Sequence, residues 1–349
     1  MSAKPKILVA LSGGVDSSVA AAMLVEEGYE VIGATLSFRS PDPAFAERQH
    51  CGAKSDFDSI EQLTAKLGIR HYVLDRYHEF ESRVLRPSWE AYRSGLTPNP
   101  CCLCNPRVKF GELIAFAREQ GCLALATGHY ARIENGLLRR GRDRNKDQSY
   151  FLYRLTPEQL AFLRFPLGGI DKTEVRRRAL ALGLTVAAGR KESQDACFAC
   201  DGECFAETLR RLFGELPEPG DFIYNGRKVG RHPGVHCCTI GQRKGLNVAL
   251  GVPAYVAGID AVSGEVELVT DEKMLECNAF AVEDLVLHRP LPANCFVQIR
   301  YRTPACPASV SVENGRVEVV PETPLRAVTP GQSAVFYDGE YLLGGGIIK

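Results

Sequence analysis

Residues Ile7 to Ser18, ILVALSGGVDSS, set a short apolar strand, a Ser-Gly-Gly-Val-Asp-Ser turn and an Ala-rich helix in direct succession. Such a turn can cradle a phosphate. Gly13 and Gly14 can take backbone angles closed to other residues, so consecutive N–H groups can face one concavity at a helix N-terminus, where the helix dipole favours an anion. Ala10, Leu11, Ser12, Gly13, Gly14, Val15, Asp16 and Ser17 are therefore candidate nucleotide-binding residues, with Ser12, Ser17 and Ser18 as hydroxyl donors. The GxxxxGK[ST] spacing and its lysine are absent, so this is not the P-loop that serves a transferred γ-phosphate. The second reactive feature is thiol. Thr97-Pro-Asn-Pro-Cys-Cys-Leu-Cys-Asn105 sets three cysteines directly after two prolines, and Glu192-Ser-Gln-Asp-Ala-Cys-Phe-Ala-Cys200 adds two more. Prolines disfavour a helix interior, so Cys101, Cys102 and Cys104 are expected on a constrained loop.

The 349 residues allow two or three domains with buried cores. Formal charge is zero, so RNA contact must come from local patches rather than a global basic field. No charged-then-apolar leader and no apolar run of about 18 residues appears, so a cytoplasmic protein without membrane contact is expected. Thirteen cysteines, an odd number, argue against a static disulfide framework and for thiolate chemistry or metal binding.

The elements that must position these groups alternate over the first 200 or so residues. Strands are expected at Lys6–Leu11, Glu30–Leu36, His71–Leu74 and Leu123–Thr127, and helices at Ser18–Glu27, Asp58–Leu67 and around Phe110–Glu119. This rhythm implies an α/β fold, a doubly wound parallel sheet with ligands beyond the carboxyl ends of its strands. Ser12, Leu36 and Gly128 fall at such ends; Leu36 either packs on an adenine ring or is plain core. From about Gly220 the texture changes to short alternating segments. An Asn225-Gly226 hairpin turn is expected, with strands near Tyr255–Ile259, Glu265–Val269, Phe296–Tyr301, Ala308–Glu313, Arg316–Val320 and Ser333–Tyr337.

SGGVDS resembles the PP-loop of the ATP pyrophosphatase superfamily. TPNP followed by CN, ESQDAC, Lys146-Asp-Gln-Ser-Tyr-Phe-Leu152, Ala126-Thr-Gly-His-Tyr130 and Thr239-Ile-Gly-Gln-Arg-Lys-Gly-Leu246 extend the likeness from Ser12 to Gln332. Together these blocks resemble the tRNA-specific 2-thiouridylases, the MnmA family. The resemblance implies a PP-loop (adenine nucleotide alpha hydrolase-like) domain over 1–215, a small β-rich central domain over 216–272 and a C-terminal β-barrel over 273–349. It implies ATP and Mg2+, and adenylation of the C2 oxygen of the wobble uridine (position 34) of tRNA, releasing pyrophosphate. Sulfur then displaces AMP. Cys104 matches the family's nucleophile and Cys197 its persulfide carrier, the two ending as a disulfide; both should lean toward thiolate. Asp16 matches the residue associated with magnesium on pyrophosphate, and a helix-capping role can coexist with that. Asn99, Pro100 and Cys101 match the place of the target base. His129, Lys146, Asp147, Gln148, Arg300, Tyr301 and Gln332 match tRNA contacts. The implied partners are tRNA and a sulfur donor, either a cysteine desulfurase or a relay protein, acting on a monomer.

Many relatives carry Asp where this chain has Cys101. Cys101-x-x-Cys104 with Cys197 is similar to the three-cysteine set of PP-loop tRNA thiolases that hold a [4Fe–4S] cluster with one open iron, so a hydrosulfide route stands beside the persulfide relay. Cys200 and Cys204 could add a ligand or form a separate site. Cys102, Cys122, Cys237, Cys238, Cys277, Cys295 and Cys306 read as buried small apolar residues. Lys172, Arg176, Arg177 and Arg178 sit on an expected helix that either grips phosphates or is a solvated face. Two other classes compete: a PP-loop synthetase acting on a small carboxylate, which leaves the cysteines idle, and a noncatalytic RNA- or metal-binding protein, which leaves SGGVDS idle.

Overall fold

The alternation expected for the N-terminal part is present in the computed structural model, which describes residues 4–47, 54–184, 198–200, 203–215 and 217–349. Its elements are β1 (Lys6–Ala10), α1 (Val15–Glu26), β2 (Glu30–Ser37), α2 (Lys54–Leu67), β3 (Arg70–Asp75), α3 (Phe110–Glu119), β4 (Ala124–Ala126), β5 (Leu163–Arg164) and α4 (Lys172–Ala181). The five strands run parallel in the order β3-β2-β1-β4-β5. Ile7, Val9 and Leu11 pack on Ala21 and Leu24 of α1 and on Ile60 and Leu63 of α2. Leu8, which points the other way, is also fully buried, and α3 lies against β1 and β4. Burial on both faces is why β1 and β2 read as nearly unbroken apolar runs. The connections leave β1 for β2 and β3 on one side and return to β4 and β5 on the other. That reversal opens a crevice at the carboxyl ends of β1 and β4.

The chain packs as two units: Met1–Val84 with Cys101–Gly202 and Glu340–Leu342, and Leu85–Pro100 with Glu203–Gly339 and Leu343–Lys349. The first unit also holds a hairpin, Ala131–Glu134 with Leu137–Arg140, beside which Tyr341 pairs with Arg139. In the second unit, α5 (Phe205–Phe213) stops at Gly214 in the left-handed region. A four-stranded sheet follows, built from β6 (Gly220–Tyr224), β7 (Arg227–His232), β8 (Tyr255–Asp260) and β9 (Glu265–Val269). The expected hairpin turn is there, with φ of 49° at Asn225 and 71° at Gly226. Six further strands form a closed barrel: β10 (Phe280–Leu287), β11 (Asn294–Gln298), β12 (Cys306–Glu313), β13 (Arg316–Pro321), β14 (Ser333–Asp338) and β15 (Tyr341–Ile348). Their order is β10-β13-β12-β11-β14-β15, and β15 closes back on β10. Phe280, Val282, Val297, Val317, Val319 and Phe336 fill its interior.

Two expectations need correction. The strand expected to reach Tyr301 ends at Gln298, whose Nε2 donates to the carbonyls of Arg300 and Tyr301 at 3.1 and 2.8 Å and folds the chain into a turn. The cysteine segment is helical rather than a loop: Pro100–Cys104 is α-helix and runs through a π-helical turn, Asn105–Lys109, into α3. Pro100 opens the helix, where an amide hydrogen has no intrahelical partner to lose, and Pro98 lies outside it.

Phe336 is fully buried in the barrel. Phe336→Ala is expected to cost about 3–5 kcal/mol, seen as a lowered urea midpoint for the second unit with the first unit's signal little changed.

Candidate active site

The loop that joins β1 to α1 holds itself in shape. Gly13 has φ 75° and Gly14 is extended, at φ −85° and ψ 158°. The hydroxyls of Ser17 and Ser18 donate to the Gly14 carbonyl at 3.1 and 3.0 Å, and the Ser12 amide donates to Ser17 Oγ at 3.2 Å. Ala10 ends β1 and Leu11 and Val15 are buried, so apolar contacts fix both flanks of the turn. Ser12 is exposed at the strand end, and Leu36 is half-buried near the end of β2.

Across the crevice, the chain leaving β4 presses on the start of α1. A Cβ at Gly128 would lie 2.8 Å from Asp16 C and Ser17 N, so no larger residue fits without moving the loop. Two residues beyond, Tyr130 Oη donates to Asp16 Oδ1 at 2.8 Å. Lys172, at the first position of α4, grips both Asp16 oxygens at 2.7 and 2.8 Å, and its own amide donates to Asp143 at 3.1 Å. Lys172 is nearly buried while the Asp16 carboxylate stays about one-third exposed. Sequence reading offered Lys172 with Arg176, Arg177 and Arg178 as a phosphate grip. Lys172 alone of these reaches the loop, because Arg177 and Arg178 pair with Glu174 at 2.7 and 2.9 Å on their own helix. The Asp16–Tyr130–Lys172 triangle was missed, since the three lie far apart in the chain.

The Lys146–Leu152 block does internal work in the same unit. Asp147 Oδ1 accepts from the amides of Gly141 and Ser149 at 2.9 and 3.1 Å, and Gln148 exchanges two hydrogen bonds with the Tyr130 backbone at 3.0 and 2.8 Å. The Lys146 amide donates to the Asp143 carbonyl at 3.0 Å. Asn105 Nδ2 donates to the Phe151 carbonyl at 3.0 Å, and Cys102 Sγ approaches the Tyr150 carbonyl at 3.9 Å. These bonds fix the helix carrying Cys101 and Cys104, which lie three residues apart and so on one face. Cys104 is buried and Cys101 half-buried. Cys197 lies outside the described residues. Among the described residues no disulfide is present; Cys102, Cys122, Cys238 and Cys295 are buried as expected, whereas Cys237, Cys277 and Cys306 are only partly so. His129 packs against Phe110 and Phe165 and shares a 2.6 Å hydrogen bond with Thr127 Oγ1. Burial, and then the Lys109 charge, hold its imidazole well below the usual histidine range.

In the second unit, Gln332 Nε2 donates to the carbonyls of Thr97 and Pro98 at 2.8 and 3.3 Å, just before Asn99 and Pro100. The Thr97 amide donates to the Pro330 carbonyl at 3.0 Å, and Thr97 and Thr239 share a hydroxyl bond of 3.1 Å. Arg300 Nη2 donates at 3.0 Å to each of the Ile240 and Ala327 carbonyls, while Tyr301 is half-buried in the turn after β11. Motifs up to 235 positions apart in the sequence thus meet on the Thr97–Pro100 segment.

Comparison with known proteins matches residues 5–201 to the tRNA methyl transferase HUP domain, 208–270 to the corresponding PRC-barrel domain and 278–348 to the aminomethyltransferase beta-barrel domain. A tRNA-specific 2-thiouridylase of Nostoc punctiforme is 42% identical over 99% of this chain and 99% of its own. The chain belongs to the tRNA-specific 2-thiouridylase family, MnmA. Members from Sorangium cellulosum (43% identical, covering 99% of this chain and 92% of the relative) and Rickettsia prowazekii (41%, 98% of each) agree over the same span. Membership in the MnmA family accounts for a PP-loop, a central β domain and a barrel in one chain. Among the described residues no helix is long and apolar enough to cross a membrane.

Gly128→Ala is expected to displace the loop by a fraction of an ångström and to lower kcat/KM for ATP by about tenfold to a hundredfold, with an unchanged circular dichroism spectrum. The folded state resists protonating His129 whereas the unfolded chain accepts a proton below about pH 6.5, so this group's contribution is present above that pH and is lost as pH falls. The loss is at most about 1.4 kcal/mol per pH unit. Denaturant unfolding of His129→Gln at pH 7 and pH 5 is expected to show a shallower decline than the parent. The decline will shrink rather than vanish, because burial lowers His71, His232 and His236 as well.

Proposed function

We propose that this chain adenylates the C2 oxygen of the wobble uridine of tRNA with ATP and then replaces that oxygen with sulfur to give 2-thiouridine. What carries the reading is the SGGVDS loop standing at the strand switch point of a chain aligned end to end with 2-thiouridylases. An amide-like oxygen leaves poorly, and its phosphate ester leaves well. The loop amides and the α1 dipole receive the phosphates, with Leu36 and Gly128 beside the nucleoside. Lys172 is poised to shift from Asp16 to a phosphate oxygen, since both oxygens it grips open on the same loop. One carboxylate suits a Mg2+ that takes its other ligands from water and phosphates, so Asp16 would hold that ion, which supplies charge neutralisation as pyrophosphate leaves.

For sulfur transfer we assign Cys104 as nucleophile and Cys197 as persulfide carrier. The terminal persulfide sulfur attacks C2 and AMP departs. The Cys104 thiolate then attacks the Cys197 sulfur, which breaks the S–S bond, frees the thiocarbonyl and leaves a Cys104–Cys197 disulfide for a reductant to open. A cysteine desulfurase or relay protein reloads Cys197. The placement of Cys101 and Cys104 on one helix face favours a second reading, in which they join Cys197 as ligands of a [4Fe–4S] cluster whose open iron supplies hydrosulfide. Asn99, Pro100 and Cys101 hold the flipped base, and splayed anticodon bases are what such a pocket can read. His129, Lys146, Asp147, Gln148, Arg300, Tyr301 and Gln332 serve tRNA binding, several of them by positioning backbone rather than by direct contact. The domains run 1–215, 216–272 and 273–349, in the cytoplasm.

Cys104→Ser is expected to retain tRNA-dependent release of AMP and pyrophosphate while 2-thiouridine falls to background. Loss of pyrophosphate release as well would place Cys104 in adenylation and overturn its assignment. Cys101→Ala separates the two sulfur routes: under the relay it still forms 2-thiouridine with a persulfide donor, the loosened base pocket raising only KM for tRNA, whereas under the cluster it loses both activity and bound iron.

A further inference from the structure

Among the described residues outside the PP-loop and the Cys101–Cys104 helix, one group of side chains has metal-ligating chemistry and no part in the reaction above. Glu207 on α5, with His236 and Cys237 on the 3-10 turn Val235–Cys237, present a carboxylate oxygen, an imidazole nitrogen and a thiol sulfur within 4.8 Å of one another. His236 Nε2 lies 3.2 Å from Cys237 Sγ and 3.6 Å from Glu207 Oε2. Zinc binds sulfur at about 2.3 Å and nitrogen or oxygen at about 2.0–2.2 Å. Tetrahedral angles then separate neighbouring donors by about 3.4–3.6 Å. The observed spacings already approximate two edges of that tetrahedron.

The surroundings hold the donors in place. The His236 side chain is fully buried and meets Trp89 edge-on at 5.5 Å between centroids. Its Nδ1 is buried and has no hydrogen-bond partner among the described residues, so the ring's polar contacts there run through Nε2. Arg210 takes Glu207 Oε1 at 2.8 Å, leaving Oε2 turned toward His236. Cys204, the cap of the same helix, adds a second thiol nearby; burial first, then Cys204 and Glu207, push the Cys237 thiol up to about 11.

We propose that Glu207, His236 and Cys237 form a zinc site that clips helix Phe205–Phe213 to the turn preceding Thr239–Leu246. On binding, Cys237 loses its proton to solvent and the thiolate, the imidazole and the carboxylate each supply an electron pair; no redox change occurs. The fourth position is left to water. Because Thr239 bonds Thr97, the clip steadies one anchor of the Thr97–Pro100 segment.

The test uses the full chain with Cys101→Ser and Cys104→Ser in place, so that no metal at those cysteines contributes. Stripped with chelator and titrated with Co2+, it is expected to bind one ion per chain with tetrahedral d–d bands and a thiolate charge-transfer band, both displaced by Zn2+. Adding Cys237→Ser, nearly isosteric and expected to fold, should abolish the charge-transfer band and weaken Zn2+ binding by more than the roughly hundredfold that loss of a merely orienting partner costs. Zn2+ should raise the Tm of the background protein and not of this variant. Glu207→Gln should keep the thiolate band and weaken binding. Co2+ spectra unchanged by Cys237→Ser, or absence of any bound ion, would leave a metal-free hydrogen-bonded cluster and overturn the proposal.

Discussion

The first unit depends on how closely the chain leaving β4 approaches the start of α1. Gly128 permits that approach, since a single Cβ would collide with the Asp16 and Ser17 backbone. Once the two segments touch, Tyr130 can reach Asp16, and the Tyr130 backbone can exchange bonds with Gln148. Lys172 then closes the arrangement from α4 through a bidentate contact with Asp16. A lysine so nearly buried needs a paired charge, and a carboxylate at a helix N-terminus is favoured by the helix dipole, so each group stabilises the other where an anion is to arrive. The pair keeps the crevice preorganised without sealing it, because the carboxylate remains partly exposed.

A similar economy governs the second unit. Gln332 and the Pro330 carbonyl bond the Thr97–Pro98 backbone, the Thr239 hydroxyl bonds that of Thr97, and Arg300 holds the Ile240 carbonyl next to Thr239. A Cβ at Gly331 would meet Leu96 Cβ and Thr97 N at 2.9 Å, so the turn before Gln332 is as tightly fitted as the one at Gly128. A segment held from several sides keeps its shape without depending on its own secondary structure. Pro100 then turns the same segment into the helix that carries the cysteines.

Local chemistry made the sheet legible. Apolar runs punctuated by glycine turns placed β1, β2 and β3 within a residue or two, and the switch-point rule put Ser12 and Gly128 at the correct edge. Proline as a helix breaker points to a loop at the cysteines, but Pro100 stands at the first helical position, where its missing amide hydrogen costs nothing. β15, YLLGGGII, was not anticipated because three glycines mask its strand pattern. Their reason is tertiary: a Cβ at Gly346 would lie 2.5 Å from the Glu283 carbonyl, and only glycine lets β15 close on β10. β10 hides for a related reason, a bulge at Asp284 with φ 51°. The partners of Asp16 were invisible because Tyr130 and Lys172 reach it from elements 114 and 156 positions away.

The zero formal charge bears on how such a protein meets RNA. Arg177 and Arg178 are paired on their own helix with Glu174, whose carboxyl those two guanidinium groups pull down to about 2. Arg86 and Arg93 share Glu215. Each exposed pair stabilises little in water and dissolves at little cost when a phosphate offers a better partner. Attraction then arises where RNA already fits, rather than everywhere on the surface. A surface whose charges are already paired attracts a polyanion only weakly at long range, and its exposed ion pairs are free to change partners on contact.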